Sequence, residues 1–201
     1  KNRVTGVSPA VDHAAVDIET PDGAYRLKAQ YLIACDGIRG TIAKDLGIGS
    51  HGVGFLKRVT AVRFKADLSA VAGDNAMVIH YIQNPDVPDG AGVVVSTDYR
   101  DEWVANMSGE RELDEAETAR VIRTMVGIPD LEFEILGSTT YDYAHRIADR
   151  FSHGRVFLAG DAAHVMPPTG GQGGNTAVQD GYYMAWKIAA VLKGLADPRL
   201  L

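Results

Sequence analysis

The chain has 201 residues, 46% of them hydrophobic and 23% charged, which is ordinary for a globular protein. The net charge of −6 argues against a nucleic-acid partner, and the single cysteine, Cys35, excludes an internal disulfide and favours a reducing, cytoplasmic compartment. No apolar run approaches the ~20 residues that span a membrane, so no membrane span is expected. Because the sequence opens at Lys1 inside a strand-like pattern, we expect it to be part of a longer chain.

Strand-like alternation fills residues 4–35 and reverses at Asp22-Gly23, which is typical of a hairpin. The last strand of this region, over residues 31–35, is continuously apolar and is predicted to be buried on both faces. Asp36-Gly37 follows it directly, and a short helical segment then runs to Gly47. An Asp-Gly pair alone is more often a simple turn, so its meaning depends on the rest of the chain.

Residues 47–52 spell G-x-G-x-x-G, the pattern of a dinucleotide-binding loop. Such a loop needs a strand before it and a helix after it. Here a helical segment precedes the glycines and a strand-like pattern over residues 57–65 follows them, so we reject this site.

The middle of the chain is rich in short strands, which favours an antiparallel sheet. The predicted strands cover residues 59–64, 76–82, 92–96 and 102–107. Asp114 and Glu117 have the spacing of a capping box at the start of a helix, and Gly127 is expected to end that helix. A further strand is predicted over residues 131–136.

A second strand with an acidic turn follows. Residues 155–159 are apolar, and Gly160-Asp161 places a carboxylate at the carboxyl end of the strand, where open α/β sheets bind ligands. Pro167-Pro168 then stiffens the chain. The loop after it has little side-chain bulk, so a flat ligand can approach its backbone; its glycines are Gly170, Gly171, Gly173 and Gly174.

From about Asn175 the pattern is helical, so free N–H groups and the positive end of the helix dipole are aimed at whatever the loop holds. The small and apolar positions of this helix share one face, formed by Ala177, Gly181, Met184, Ala185, Ile188 and Leu192.

This ordered run resembles the GD motif of the FAD-dependent aromatic hydroxylases, the single-component flavoprotein monooxygenases related to para-hydroxybenzoate hydroxylase and the polyketide hydroxylases. The matching residues are Gly160-Asp161-Ala162-Ala163-His164, Pro167-Pro168, Gly170-Gly171-Gln172-Gly173, Asn175 and Ala185-Trp186-Lys187. Asp36, Gly37 and Arg39 match the DG motif of the same family, although this chain has Gly40 and Ala43 where the family often has Ser and Arg. A glycine-rich loop of another α/β enzyme is the alternative interpretation.

The resemblance implies an α/β fold (α+β overall) in which a discontinuous Rossmann-like FAD-binding domain, truncated here, carries an inserted antiparallel substrate sheet. The implied domains are residues 1–54 (FAD-binding, DG motif), 55–140 (substrate-binding β-sheet) and 141–201 (FAD-binding, GD motif and helix). The family's N-terminal FAD fingerprint is expected in a part of the protein outside these residues.

The resemblance also implies hydroxylation of a phenolic or polycyclic aromatic substrate with FAD, NAD(P)H and dioxygen, by way of a flavin hydroperoxide. The implied cofactor-binding residues are Asp36, Gly37, Arg39, Gly160, Asp161, Pro167, Pro168, Gly170, Gly171, Gly173, Gly174 and Asn175. The substrate side has only candidate residues, which are His80, Tyr81, Trp103, Met107, Tyr141 and Tyr143. No residue is assigned a catalytic role.

Two alternatives stay open. The first is another flavoenzyme on the same scaffold, such as a halogenase, an epoxidase or a reductase. The second is a non-catalytic module with the FAD-binding fold, and residues 1–201 by themselves are expected to be inactive. The six histidines lack metal-ligand spacing, and the chain has no G-x-S-x-G elbow, so neither a metal site nor a serine hydrolase is predicted.

Overall fold

The computed structural model describes residues 1–73, 78–97, 100–109 and 113–201. Four helices are described, namely α1 (Ile42–Asp45), α2 (Ser69–Ala72), α3 (Glu115–Val126) and α4 (Gln172–Leu192). The strands described are β1 (Arg3–Pro9), β2 (Ala14–Thr20), β3 (Gly23–Ala29), β4 (Leu32–Ala34), β5 (Ser50–Lys65), β6 (Ile79–Gln83), β7 (Ala91–Ser96), β8 (Glu102–Ser108), β9 (Glu134–Ala148), β10 (Ser152–His153), β11 (Val156–Leu158) and β12 (His164–Val165). Within those ranges, no helix is long and apolar enough to cross a membrane.

The chain divides into two compact units. The first unit contains Lys1–Gly54 and Ala144–Leu201, and the second unit contains Phe55–Tyr143. Each of the long strands β5 and β9 therefore contains a boundary between the units. The first two residues of the strand predicted over 76–82, Ala76 and Met77, lie outside the described residues.

The first unit contains two three-stranded sheets. In one, β1, β2 and β3 form an antiparallel meander, and in the other the strand order is β10-β11-β4. The pair β11 and β4 is parallel, with Val156 opposite Leu32 and Leu158 opposite Ala34. The buried apolar residues of this unit include Ala14, Ala34, Ile42, Leu46, Ile48, Ala148, Val156, Leu158 and Ala163.

The prediction that residues 31–35 are buried on both faces is wrong for β4. The strand is three residues long, and Ile33 is 38% exposed. Since β4 is the last strand in its sheet, the described residues do not cover it as they cover β11, whose three residues are all buried.

The structure agrees with the rejection of the G-x-G-x-x-G stretch. Helix α1 ends before it, and β5 begins within it at Ser50, so the strand–loop–helix order of a dinucleotide loop is absent there. A side chain at Gly49 would collide with the Asp149 carboxylate, and one at Gly52 would collide with the His145 carbonyl. The spacing of these two glycines therefore has a packing explanation.

The second unit has the predicted antiparallel sheet, in which β5 pairs with β8, β8 with β7, and β7 with β6. Helix α3 packs on one face of it. The predicted capping box is confirmed, because Asp114 accepts from the Glu117 N–H and the Glu117 side chain accepts from the Asp114 N–H. The buried core on this face includes Val62, Phe64, Val94, Trp103, Ala105, Met107, Val121, Ile122 and Met125.

The strand register places the candidate residues for the substrate side on two different faces of the sheet. Trp103 and Met107 are 4% and 2% exposed and belong to the core under α3. His80 lies opposite Val94, on the same face, and its ring packs beside Trp103. These three residues therefore lie on the core side of the sheet, where His80 and Trp103 line a cavity of about 130 Å³, and their role on the substrate side stays a prediction. Tyr81 points to the opposite face and is 64% exposed, so it stays a candidate.

Candidate functional site

Two acidic turns meet at one edge of the first unit's sheet. Since β4 and β11 are parallel and in register, the turns that follow their carboxyl ends lie side by side. Asp36 and Asp161 accordingly line the same cavity, which has a volume of about 260 Å³. Its other lining residues include Gly37, Ile38, Gly40, Lys44, Arg146, Ala162, Ala163, His164 and Val165.

Asp36 is fixed by its own local structure. Its Oδ2 accepts a hydrogen bond from the Ile42 N–H at 3.1 Å, at the first residue of α1. A Cβ at Gly40 would overlap the Asp36 carboxyl group, so any larger residue at position 40 would displace this carboxylate from its present position. The sequence departs here from the related family's frequent Ser, and in this chain the Asp36 carboxyl group occupies the space that a side chain at position 40 would take.

Asp161 has no such internal partner. It lies in the 3-10 turn that begins at Gly160, directly after β11, and its side chain is exposed. No hydrogen bond or ion pair joins its carboxylate to another described residue, so both of its oxygens can accept from a ligand.

The acidic turn is tied to α4 by a residue that the sequence analysis missed. One oxygen of Asp180, in the third turn of α4, accepts from the Gly160 N–H at 2.9 Å and lies 2.7 Å from His164 Nε2. His164 is 8% exposed; this bond satisfies its Nε2, while its Nδ1 is buried with no hydrogen-bond partner among the described residues. A signal was present in the sequence, since Asp180 is a carboxylate between Ala177 and Met184 on the face predicted to pack.

Helix α4 begins at Gln172, three residues earlier than we predicted. Its N-cap, Gly171, has φ +65°, a conformation that favours glycine, and no side chain caps the helix. Gly173 and Gly174 therefore belong to the first helical turn, where the N–H groups have no partner within the helix. A Cβ built on either glycine meets nothing within 4 Å. The helix start thus combines free donors, a positive dipole end and open space.

The remaining predicted residues are distributed around these features. Pro167 and Pro168 connect β12 to α4, and Asn175 donates its side-chain Nδ2 to the Gly171 carbonyl at 2.8 Å. Neither they nor the first turn of α4 line the cavity that contains Asp36 and Asp161. Arg39 is exposed and also lies outside that lining.

Two basic side chains line the cavity without having been predicted. Arg146, on β9, donates to the Ile38 carbonyl at 3.3 Å, and Lys44 is on α1. Both face a cavity that also contains the two carboxylates, so it offers donors and acceptors to a polar ligand. Neither residue is in a recognisable pattern, because only the fold brings β9 and α1 to this edge.

The face of α4 that was predicted to pack against the protein is only partly covered. None of the helix residues is buried among the described residues, and Leu192 is 51% exposed. Met184 and Ile188 are half-buried, as the pattern predicted, whereas Gly181 and Ala185 are exposed.

Comparisons with known proteins agree with the sequence motifs. A family profile described as FAD binding domain matches residues 3–201. The chain is 38% identical over 194 residues to the tetracenomycin B2 monooxygenase-dioxygenase of Streptomyces olivaceus. It is 43% identical over 179 residues to the aklavinone 12-hydroxylase DnrF of Streptomyces peucetius. These alignments cover 93% and 87% of this chain but 35% and 37% of the relatives, so the chain spans about a third of their length.

Solved structures give the same result. A ternary complex of aklavinone-11 hydroxylase with FAD and aklavinone superposes with a TM-score of 0.89 at 36% identity, over 98% of this chain and 38% of that one. The flavin-dependent monooxygenase PieE, in complex with FAD and substrate, has a TM-score of 0.89 at 29% identity, over 98% and 35% of the two chains. The predicted fold class and the resemblance to flavin-dependent aromatic hydroxylases are confirmed.

We predict that Asp180→Ala destabilises the protein by about 2 kcal/mol, because the Gly160 N–H and His164 Nε2 lose their shared acceptor in a partly buried place. Asp180→Asn keeps one oxygen and should lose less. Urea unfolding of the intact protein measures both changes. Gln179→Ala, at the exposed neighbouring position, is the matched control. An Asp180→Ala variant as stable as this control would show that the bonds of Asp180 to Gly160 and His164 do not stabilise the fold.

Proposed function

Because the chain belongs to the FAD binding domain family, we propose that the protein is an FAD-dependent monooxygenase that hydroxylates a phenolic or polycyclic aromatic substrate. NAD(P)H and dioxygen would be its co-substrates. The observation that carries the proposal is the meeting of the Asp36 and Asp161 turns in one cavity, at the strand edge where α/β sheets bind ligands. The relatives that act as hydroxylases share this part of the chain.

The residues present fit FAD. Asp161 has acceptor oxygens that no described residue uses, and the ribityl chain of FAD carries hydroxyl donors. The first turn of α4 has open space beside its glycines and N–H groups without helical partners, which suits a flat ring with a polar edge. When bound, FAD supplies the redox chemistry, accepting a hydride from NAD(P)H and activating dioxygen.

The protein's own contribution is placement and charge. Asp161 would accept hydrogen bonds from the ribityl hydroxyls, and Asp36, held by α1, would support the same side of the site. The N–H groups of Gly173, Gly174 and Asn175 would stabilise negative charge at the N1/O2 edge of the ring.

Other predicted residues would shape the surroundings. Pro167 and Pro168 would line the ring and its substrate side, while Gly37 and Arg39 would belong to the ribityl and pyrophosphate side. The lone thiol, Cys35, is free and exposed, which supports a reducing, cytoplasmic location for the protein.

Isotope labelling tests the reaction. With the intact protein, NAD(P)H and ¹⁸O₂, we expect a phenolic polycyclic substrate to stimulate NAD(P)H oxidation, and its hydroxylated product to contain one ¹⁸O atom on the ring. Mass spectrometry of the product measures this. If the new oxygen in the product comes from water, or if turnover requires halide, the protein is not a hydroxylase and belongs to another class of flavoenzyme.

Asp161→Ala is expected to weaken FAD binding. Loss of charge-assisted hydrogen bonds to the ribityl chain costs about 1.5–3 kcal/mol, or roughly a 10- to 150-fold higher Kd. Fluorescence titration of the FAD-free intact protein measures the Kd. Asp22→Ala, in the exposed hairpin turn, is the control. If Asp161→Ala binds FAD with the same Kd as the control, Asp161 does not contribute to FAD binding.

Gly173→Ala is expected to weaken FAD binding without lowering the stability of the protein. The added methyl group meets no protein atom, and alanine favours a helix by up to about 1 kcal/mol, so the FAD-free protein should be as stable or more stable. FAD should nevertheless bind more weakly, because the methyl group occupies the space assigned to the ring. Gly181→Ala, at another uncrowded glycine of α4, should leave FAD affinity unchanged. Equal FAD affinities in the two variants would show that the first turn does not contact the ring.

A further inference from the structure

The sheet of the second unit has a face that α3 does not cover. Along β8, the side chains of Trp103, Ala105 and Met107 point into the core under α3, so those of Asn106 and Ser108 point the other way. On β5, Val59 lies opposite Ser108 and Ala61 lies opposite Asn106. We call the face that carries these alternate residues the open face because α3 does not cover it, although Val59 and Ser108 are themselves only 2% and 6% exposed.

Lys57 belongs to the open face, two residues before Val59. Its Nζ donates to Ser108 Oγ at 2.7 Å and lies 5.5 Å from the centre of the Tyr143 ring. Both contacts are with neutral groups, and among the described residues no carboxylate lies within ion-pair distance of this ammonium group.

The other cations of β5 are neutralised. Arg58 pairs with Asp142 at 2.8 Å, Arg63 pairs with Glu102, and Lys65 pairs with Asp101 at 3.2 Å. Lys57 differs from these three residues, because its described contacts, Ser108 and Tyr143, carry no negative charge. Lys57 is exposed, so its ammonium group is accessible to a ligand, and a cation beside an aromatic ring and a hydroxyl attracts an anionic ligand by Coulomb interaction.

Two tyrosines extend the polar group on the open face. Tyr141 donates its hydroxyl to Asn106 Oδ1 at 2.9 Å, and its ring lies 5.7 Å from that of Tyr143. Burial, helped by Tyr143, raises the pKa of the Tyr141 hydroxyl above its ordinary value, so this hydroxyl stays protonated and neutral at physiological pH. Tyr141 therefore does not compete with a ligand for the Lys57 charge.

Lys57 also lines a cavity of about 370 Å³. This volume lies within the range of about 300–1,000 Å³ that is usual for small-molecule sites. Phe55 and Leu56, which are 61% and 43% exposed, add apolar surface to it. Asp89 contributes a carboxylate that makes no ion pair with Lys57. Arg58, which pairs with Asp142, also lines the cavity. The cavity thus offers apolar surface and the Lys57 cation to an apolar ring system with an acidic hydroxyl.

We propose that Lys57 is the specificity-determining residue that holds the ionised hydroxyl oxygen of the aromatic substrate. The inference rests on the proposed function for the identity of the ligand. On binding, the O–H bond of the substrate breaks, the electron pair stays on oxygen and the proton leaves to solvent, while Lys57 remains protonated. The ring of a phenolate is richer in electrons than that of a phenol, which suits attack on an electrophilic oxygen.

The test uses alizarin, a dihydroxyanthraquinone whose absorbance changes when a hydroxyl ionises. Absorbance titrations across pH, with the intact FAD-loaded protein in excess, measure how strongly each variant prefers the anion to the neutral dye. Tyr143 lies beside Lys57, and Tyr141 lies beside Tyr143. Asp89 and Arg58 line the cavity, and Arg58 pairs with Asp142. These titratable and charged groups are retained in every variant.

We expect the wild-type protein to bind the alizarin anion about tenfold more tightly than the neutral dye. Lys57→Met should abolish this preference, and Lys57→Arg should retain it, because arginine keeps the charge. Lys65→Met removes an ion-paired cation from the same strand and should leave the preference intact. FAD occupancy and circular dichroism verify that each variant is folded.

An unchanged preference in Lys57→Met, or an equal loss in Lys65→Met or Lys57→Arg, would overturn the proposal. The dye titration needs no turnover, so its outcome is distinct from that of the labelled-oxygen experiment. Labelled oxygen in the product together with an unchanged Lys57→Met titration would refute the role of Lys57 alone.

Discussion

The parallel pairing of β4 with β11 is the interaction on which the candidate site depends. It aligns Ala34 with Leu158, so that the two chain segments leave the sheet at the same edge and at the same height. Two acidic turns that are 125 residues apart in sequence (Asp36 and Asp161) thereby line one cavity. A slip of this register would carry one carboxylate away from the other, and the two would no longer line one cavity.

The second constraint is the attachment of α4 to this edge. Asp180 joins the helix to the Gly160 turn and to His164 through a single carboxylate oxygen. The positive end of the helix dipole is then fixed relative to Asp161, which the same turn carries. A site that stabilises negative charge on a cofactor needs donors that are positioned before the charge develops, and a rigid helix start provides such donors.

Sequence patterns predicted the parts of this site that are local. A strand followed directly by an acidic turn is readable at Asp36 and at Asp161, and so is the capping box at Asp114. The helix start was placed three residues late because glycines have poor helix propensity, which the free space and unpartnered donors of a binding site override. Asp180 was missed since its partners are far away in sequence. The sequence could not separate Trp103 from Tyr81, because alternation gives two faces and does not say which one a helix covers.

We propose that the acidic turns and the first turn of α4 hold FAD. A crystal structure of the intact protein with FAD tests it most directly. We expect ribityl hydroxyls within hydrogen-bond distance of the Asp161 carboxylate, and the N1/O2 edge of the ring facing the N–H groups of residues 173–175. A flavin that contacts neither Asp161 nor the start of α4 would contradict it.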